Sequence, residues 1–154
     1  MYKGKIIHSD INRVISSCRH YDKVSILDFG MSGGDKAGEI IDLGWRRGDP
    51  KVLDVAKTIG ESWAFDKILM MDFVPKLNPG FYESVQNAFP GVTIELVTVA
   101  DFKGAIADSR AVIRTGEIRT ARTSSLWPVW PGRIPFKGGS PPERIHQRVD
   151  KSVS

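Results

Sequence analysis

Short apolar runs occur at intervals between residues 24 and 113 and predict the strands of a sheet. Residues 24–27 and 67–73 are rich in branched or large apolar side chains and too short for helices, so they predict buried strands. Residues 92–98 alternate between apolar and polar in the manner of a strand, and residues 40–43 and 111–113 predict two more. The strand at 111–113 is predicted to be the last one in the chain.

Helical patterns separate these predicted strands. Apolar residues recur at helical spacing over 11–18, with Ser9 as the predicted N-cap. The Asp-Pro pair at 49–50 and the Asn-Pro pair at 78–79 predict two further helix starts, and residues 100–107 predict a fourth helix. Because strands separated by helices usually build a largely parallel sheet, the sequence predicts a single compact α/β domain with a mostly parallel sheet flanked by helices.

The C-terminal residues 118–154 differ from the rest of the chain in charge and composition. Residues 1–117 carry 15 basic and 16 acidic side chains, a net charge of −1, whereas residues 118–154 carry 7 and 2, a net charge of +5. The same segment holds five of the nine prolines. The overall charge of +4 therefore belongs to the end of the chain, and the sequence predicts a folded domain over 1–117 followed by an irregular tail.

Composition excludes several classes of function. One cysteine, Cys18, cannot form an internal disulfide and suits a reducing cytoplasm. The three histidines lack metal-ligand spacing, and one cysteine cannot complete a zinc site, so we expect no metal. No apolar run approaches the roughly 18 residues of a membrane span. The glycine-rich loop at 30–38 lacks the Gly-Lys-Ser/Thr end of a P-loop, so a mobile surface loop explains it better than nucleotide binding does.

His20 and Asp28 are the best candidates for proton chemistry on spacing alone. His20 follows a predicted helix and lies eight residues before Asp28, which ends a predicted strand. Histidine exchanges protons readily at neutral pH. The alternatives are a structural or solvent-exposed histidine and an aspartate that only caps a loop.

Several short motifs follow one another in order along the chain. The first are Ser9-Asp10-Ile11, then His20 and Asp28. Ile41-Asp42-Leu43 and Asn78-Pro79 follow, and residues 111–117 read Ala-Val-Ile-Arg-Thr-Gly-Glu. Together these motifs resemble the RbsD/FucU family, and the D-ribose pyranases in particular, over most of residues 3–117. The resemblance implies a compact α/β fold assembled into rings, commonly decamers, in which a neighbouring subunit completes each active site.

The resemblance also implies an activity and its residues. Family members interconvert the pyranose and furanose forms, or the anomers, of a free sugar such as ribose or fucose without a cofactor. His20 matches the proton donor, and Asp28 and Lys103 match sugar-contacting positions. Val99 stands where ribose-type members have a sugar-binding histidine, and valine forms no hydrogen bond. The sequence therefore predicts a cytoplasmic homo-oligomeric isomerase whose sugar need not be ribose.

The resemblance stops after Glu117. There the family continues with a sugar-binding Tyr and Asn and a final apolar strand, none of which residues 118–130 contain. Reading the codons from their third base restores such an ending: Trp127 and Pro128 must then yield Ala, and one compatible peptide is Tyr-Gly-Ala-Asn-Ile-Ile-Leu-Val-Ala-Gly-Val. We therefore expect that a frameshift near Glu117 or Ile118 produced the tail, with the Tyr, the Asn and the final strand lost and the activity impaired.

Two alternatives stay open from the sequence. The tail can be a genuine extension, either a proline-rich docking arm or a nonspecific nucleic-acid contact, although nucleic acid is the less favoured partner. The domain can be a non-catalytic sugar-binding or oligomeric scaffold protein of the same fold.

Overall fold

A computed structural model describes residues 3–32, 34–64 and 66–118, together with the backbone of residues 127–130. Its helices are α1 (Ser9–Ser17), α2 (Val52–Gly60), α3 (Val74–Leu77), α4 (Pro79–Ala88) and α5 (Val99–Ala107). Its strands are β1 (Val24–Leu27), β2 (Ile40–Asp42), β3 (Lys67–Met71), β4 (Thr93–Val97), β5 (Ala111–Arg114) and β6 (Trp127–Trp130). The predicted α/β architecture is confirmed, and the short helix α3 is an element that the sequence pattern did not predict.

The six strands form one sheet in the order β2-β5-β1-β6-β3-β4. β1 and β2 both pair with β5 in parallel, β3 pairs with β4 in parallel, and β6 is antiparallel to β1 and to β3. β1 to β5 therefore all run in one direction. Their carboxyl ends lie at the same edge of the sheet, which we call the carboxyl edge, and their amino ends lie at the opposite, amino edge.

The core lies where the central strands meet the helices. All four residues of β1 are buried, and so are Ala111, Val112 and Ile113 of β5. Helices α2 and α5 bury one face each, through Ala56 and Ile59 on α2 and through Phe102 and Ile106 on α5. Burial on this scale is the main favourable contribution to folding. It accounts for the buried strands at 24–27 and 67–71, which the apolar runs predicted.

Helix starts differ from the prediction where tertiary contacts replace local caps. The N-cap of α1 is His8 instead of Ser9. The cap residue of α2, Lys51, makes no side-chain cap, and the Glu117 carboxylate accepts the Val52 N–H at 2.9 Å in its place. Asn78 caps α4 as predicted by accepting the N–H of Phe81 at 3.2 Å. Distant residues can satisfy the same backbone donors, and local sequence does not report them.

The prediction that residues 111–113 form the last strand is wrong, because Trp127–Trp130 enters the sheet as β6. It lies between β1 and β3, with Pro128 in register with Ser25 and Val129 in register with Ile68. Both flanking strands are buried, so their backbone groups that face this position require hydrogen-bond partners. Proline has no N–H for a ladder and is rare in central strands, which is why the sequence pattern did not indicate a strand here.

Candidate functional site

The Asp28 carboxylate lies at the carboxyl edge of the sheet, immediately after β1. It is only 2% exposed. The backbone on both sides of it is tied to the residues that follow β5: Thr115 N–H donates to the Leu27 carbonyl at 2.8 Å, and Phe29 N–H donates to the Glu117 carbonyl at 2.8 Å. Asp28 is thus a buried acceptor for hydrogen bonds on a rigid part of the fold.

His20 lies at the amino edge, in the turn between α1 and β1, and is exposed. The Arg19 N–H donates to Asp22 Oδ2 at 2.7 Å, and the Asp22 N–H donates back to the Arg19 carbonyl at 3.1 Å. Tyr21, also in this turn, has φ of 75° and is 75% exposed. A positive φ is uncommon for a bulky residue. These bonds place His20 in a closed turn that projects from the amino edge.

A single chain keeps His20 and Asp28 apart. His20 precedes β1 and Asp28 follows it, and a four-residue strand is roughly 13 Å long. The amino end of β1 is also attached to the residues before β5, because the Arg110 N–H donates to the Lys23 carbonyl at 2.8 Å. The two predicted site residues therefore occupy opposite edges of the sheet.

Lys103 and Val99 both belong to α5, which begins at the carboxyl edge after β4. Thr98 caps this helix by accepting the Asp101 N–H at 3.2 Å. Phe102 points into the core, whereas Lys103 is exposed and Val99 is 42% exposed. The helix packs against β3 and β6 and against the 3-10 turn at Gly34–Lys36 in the glycine-rich loop. Lys103 is thus an exposed surface cation on an element separate from Asp28.

A cavity of about 220 Å³ opens at the carboxyl edge, and its lining includes Phe29, the residue after Asp28, but not Asp28 itself. The residue after Asp28 forms one wall, and the loop between β2 and α2 forms the other. Its lining residues are Phe29, Gly44, Trp45, Arg46, Arg47, Gly116 and Ile118. No motif in the sequence predicted this cavity, although the adjacent Trp-Arg-Arg triplet between the predicted strand at 40–43 and the helix start at 49–50 is a signal that could have suggested it.

Glu117 has a structural role that the sequence pattern did not predict. It is 6% exposed, and besides accepting the Val52 N–H its own N–H donates to Thr115 Oγ1 at 3.3 Å. A carboxylate at a helix N-terminus also interacts favourably with the helix dipole. Glu117 therefore joins the end of β5 to the start of α2 and supports the wall of the cavity.

Other kinds of chemistry find no site in the described part of the chain. No group of three or more His, Cys, Asp or Glu side chains there could hold a metal ion. Burial, together with the Asp22 carboxylate, raises the pKa of the Cys18 thiol to about 11. A thiol with so high a pKa is a poor nucleophile at neutral pH. Among the same residues no helix is long and apolar enough to cross a membrane.

Comparison with known proteins gives consistent matches. Residues 1–120 match the RbsD / FucU transport protein family. A D-ribose pyranase of Enterococcus faecalis is 33% identical over 118 residues, which are 77% of this chain and 89% of the relative. A D-ribose pyranase of Lactiplantibacillus plantarum is 32% identical over 118 residues, with the same coverage.

Solved structures match the fold as well. Bacillus subtilis RbsD complexed with D-ribose superposes with a TM-score of 0.76 at 28% identity. The match covers 87% of this chain and 99% of that chain. The fucose mutarotase of Streptococcus pneumoniae in complex with L-fucose has a TM-score of 0.64 at 16% identity, covering 83% of this chain and 94% of that one. At this identity the second match shows the fold alone.

Proposed function

This chain belongs to the RbsD / FucU family, and we propose on that basis that it is an intramolecular isomerase of free monosaccharides. It interconverts pyranose and furanose ring forms, or anomers, by general acid/base proton transfer. The observation that carries the proposal is the 33% identity to a D-ribose pyranase over 77% of the chain. The buried Asp28 at the carboxyl edge supports it, because a carboxylate held in this way can accept hydrogen bonds from sugar hydroxyls.

The reaction needs only proton movements around one bond. A base takes the proton of the anomeric hydroxyl, the bond between the anomeric carbon and the ring oxygen breaks, and an acid protonates the ring oxygen. The open-chain aldehyde then closes through another hydroxyl, or on its other face, with the same steps reversed. We assign the acid/base role to His20 and sugar-hydroxyl contacts to Asp28 and Lys103. A well-placed acid/base contributes a rate factor of about 10² to 10⁴.

The active site is composed of residues from two subunits. His20 and Asp28 lie at opposite edges of the sheet, so both can act on one sugar only when the amino edge of one subunit meets the carboxyl edge of another. A head-to-tail contact of this kind closes into a ring or continues as a filament. The exposed turn around His20, with Tyr21 projecting, is suited to entering a neighbour's site. We therefore assign the protein a ring-shaped homo-oligomer.

Val99 bears on which sugar is used. It is partly exposed at the start of α5, at the carboxyl edge where Asp28 also lies. A valine at this point supplies an apolar surface and no hydrogen bond. The site therefore discriminates less strongly for a ribose hydroxyl than a site with a histidine there, and ribose is one candidate among free monosaccharides.

We propose that residues 118–154 come from a shifted reading frame. The family match ends at residue 120, whereas the fold match to RbsD covers 87% of the chain. A proline in the strand between two buried strands is a poor choice for that position, and the shifted frame replaces Pro128 by residues that can donate to the ladder. The nucleotide sequence around codon 118 tests this directly: a shifted frame that encodes no apolar strand removes the proposal.

The shifted frame has a consequence for activity. The chain as written lacks the Tyr and Asn of the restored peptide, so its activity is reduced. A variant in which the shifted-frame peptide replaces residues 119–129 is expected to exchange sugar ring forms faster than the present chain. Equal rates for the two proteins would contradict this assignment.

We place the protein in the cytoplasm. Cys18 is a free thiol, which suits a reducing compartment.

Magnetisation-exchange NMR on ribose and fucose tests the activity itself. The full chain is expected to accelerate exchange between ring forms, and His20→Ala is expected to abolish most of the acceleration. His8→Ala is the control, because His8 lies outside the proposed site on the cap of α1. Binding of both sugars without any acceleration would instead indicate a non-catalytic sugar-binding protein, and an unchanged rate in His20→Ala would remove His20 as the acid/base.

A further inference from the structure

Two arginines line the cavity at the carboxyl edge. Its lining includes Arg46 and Arg47 and no acidic side chain. Arg46 Nε donates to Asp49 Oδ2 at 2.7 Å, and its guanidinium lies 4.9 Å from the Trp45 ring centroid. Arg47 makes no hydrogen bond or ion pair with any other residue that the structure describes. Even when Asp49 is counted against Arg46, the cavity retains one uncompensated positive charge.

The loop that carries these arginines is held against β5. The Gly48 N–H donates to the Gly116 carbonyl at 2.7 Å, and the Asp49 N–H donates to the Arg46 carbonyl at 3.2 Å. A Cβ on Gly116 would collide with the carbonyl oxygens of Arg46 and Asp49. The backbones are therefore in direct contact, and the backbone of the Arg46–Arg47 segment is positioned before any ligand arrives.

The rest of the cavity is apolar. Phe29, Trp45 and Ile118 are all strongly exposed there, with Trp45 at 74%. Binding sites for small molecules commonly combine such apolar walls with a few fixed polar groups. This cavity combines a surface for the C–H face of a sugar ring with a pair of guanidinium groups, and Phe29 in its wall is the residue after Asp28.

We propose that this cavity is an anion subsite of the sugar site, and that the substrate class includes monosaccharides that carry a carboxylate, such as hexuronic acids. The proposal rests on the proposed isomerase function. Arg47, with Arg46 beside it, receives the carboxylate, because the planar guanidinium matches a carboxylate with two parallel hydrogen bonds. Asp28 accepts hydroxyls at the other end of the same sugar.

The reaction limits where an anionic group can stand on the sugar. A phosphate on the hydroxyl that closes the pyranose ring would prevent exchange between ring sizes, because that oxygen could no longer attack the anomeric carbon. The C6 carboxylate of a hexuronic acid leaves the anomeric hydroxyl and the ring oxygen free. Anomer exchange then proceeds by the same proton transfers, with the carboxylate unchanged and no co-reactant needed.

Binding of galacturonate to the full chain tests the subsite. Saturation-transfer NMR titrations compare the wild type with Arg47→Gln, and with Lys57→Gln as a control that removes one positive charge from an exposed position of α2 outside the cavity. We expect Arg47→Gln to weaken galacturonate binding by about tenfold or more, and Lys57→Gln to have no effect. Unchanged binding in Arg47→Gln would overturn the proposal. So would a change in the oligomer mass of Arg47→Gln, which would assign this loop to a subunit contact.

Exchange measurements separate failure of the subsite from failure of the enzyme. Acceleration of ribose or fucose exchange without galacturonate binding would overturn the subsite and leave the isomerase function intact. Arg47-dependent galacturonate binding without acceleration for any sugar would support the subsite and overturn the isomerase function. Arg47-dependent binding with accelerated anomer exchange of galacturonate is the result expected if both are correct.

Discussion

Two inactive variants are expected to restore each other's activity when their subunits are mixed. His20→Ala removes the proposed acid/base from the amino edge, and Asp28→Asn removes the carboxylate charge from the carboxyl edge at nearly constant volume. Because roughly 13 Å of β1 separates the two edges, the proposed site takes one of these residues from each of two subunits. A subunit that carries one defect therefore still supplies an intact half to its neighbour.

The expected loss and recovery of rate follow from the proposed roles of His20 and Asp28 and from their placement on different subunits. Each variant alone is expected to lose a factor of about 10² to 10⁴ in rate. In an equimolar random mixture, a site is intact when its His20 comes from an Asp28→Asn subunit and its Asp28 comes from a His20→Ala subunit. For a head-to-tail ring this occurs at about one quarter of the sites, so about a quarter of the wild-type rate is expected to return.

Joint unfolding and refolding of the two variants, followed by NMR measurement of sugar exchange, provides the assay. Native mass spectrometry verifies that the oligomers contain both kinds of subunit. His20→Ala mixed with the double variant His20→Ala/Asp28→Asn is the control and is expected to stay inactive. Mixed oligomers that remain inactive would refute the composite site and would mean that His20 and Asp28 act within one chain.

Three further predictions concern the close backbone contact at Gly116, the helix cap made by Glu117 and the burial of Cys18. Gly116→Ala is expected to lower the free energy of unfolding by about 2 to 4 kcal/mol because its Cβ meets backbone oxygens, whereas Gly104→Ala on α5, where the space is open, should be neutral or stabilising in chemical denaturation. Glu117→Ala leaves the buried Val52 N–H without its acceptor and should cost about 1 to 3 kcal/mol in the same assay, with a cost near zero contradicting the cap. Alkylation of Cys18 by iodoacetamide at pH 8 should be about a hundredfold slower in the folded protein than in urea, because burial raises its pKa from 9.0 to about 11. Equal alkylation rates in the folded protein and in urea would contradict the raised pKa. Because burial favours the protonated thiol, the Cys18 thiol stabilises the fold below pH 9, and this contribution is lost as the pH rises through about 11.

The local sequence pattern was sufficient to predict those strands and helices that are determined by their own residues. The runs at β1 and β3 are buried on both faces and contain little but large apolar side chains, so a short window of sequence specifies them. The Asn78-Pro79 start of α4 is equally local, because the capping side chain lies three residues from the N–H that it accepts. The motifs at His20, Asp28 and residues 111–117 were likewise sufficient to indicate the family.

The elements that the sequence missed depend on distant partners. β6 exists because β1 and β3 leave backbone groups unpaired between them, and nothing within Trp127–Trp130 reports that requirement. The cap on α2 comes from Glu117, 65 residues away. The arginine-lined cavity forms only when the loop before α2 packs on Gly116, which brings Arg46 and Phe29 to the same place.

The sequence alone determined the α/β class, the family and the identity of the candidate catalytic and binding residues, because these follow from local periodicity and short motifs. Only the tertiary structure decided where those residues lie relative to one another. The direction of β1 places His20 at one edge of the sheet and Asp28 at the other, since a strand holds its two ends apart by its length. This separation is the physical basis for the proposed site between two subunits, which the sequence indicated only through its resemblance to the family.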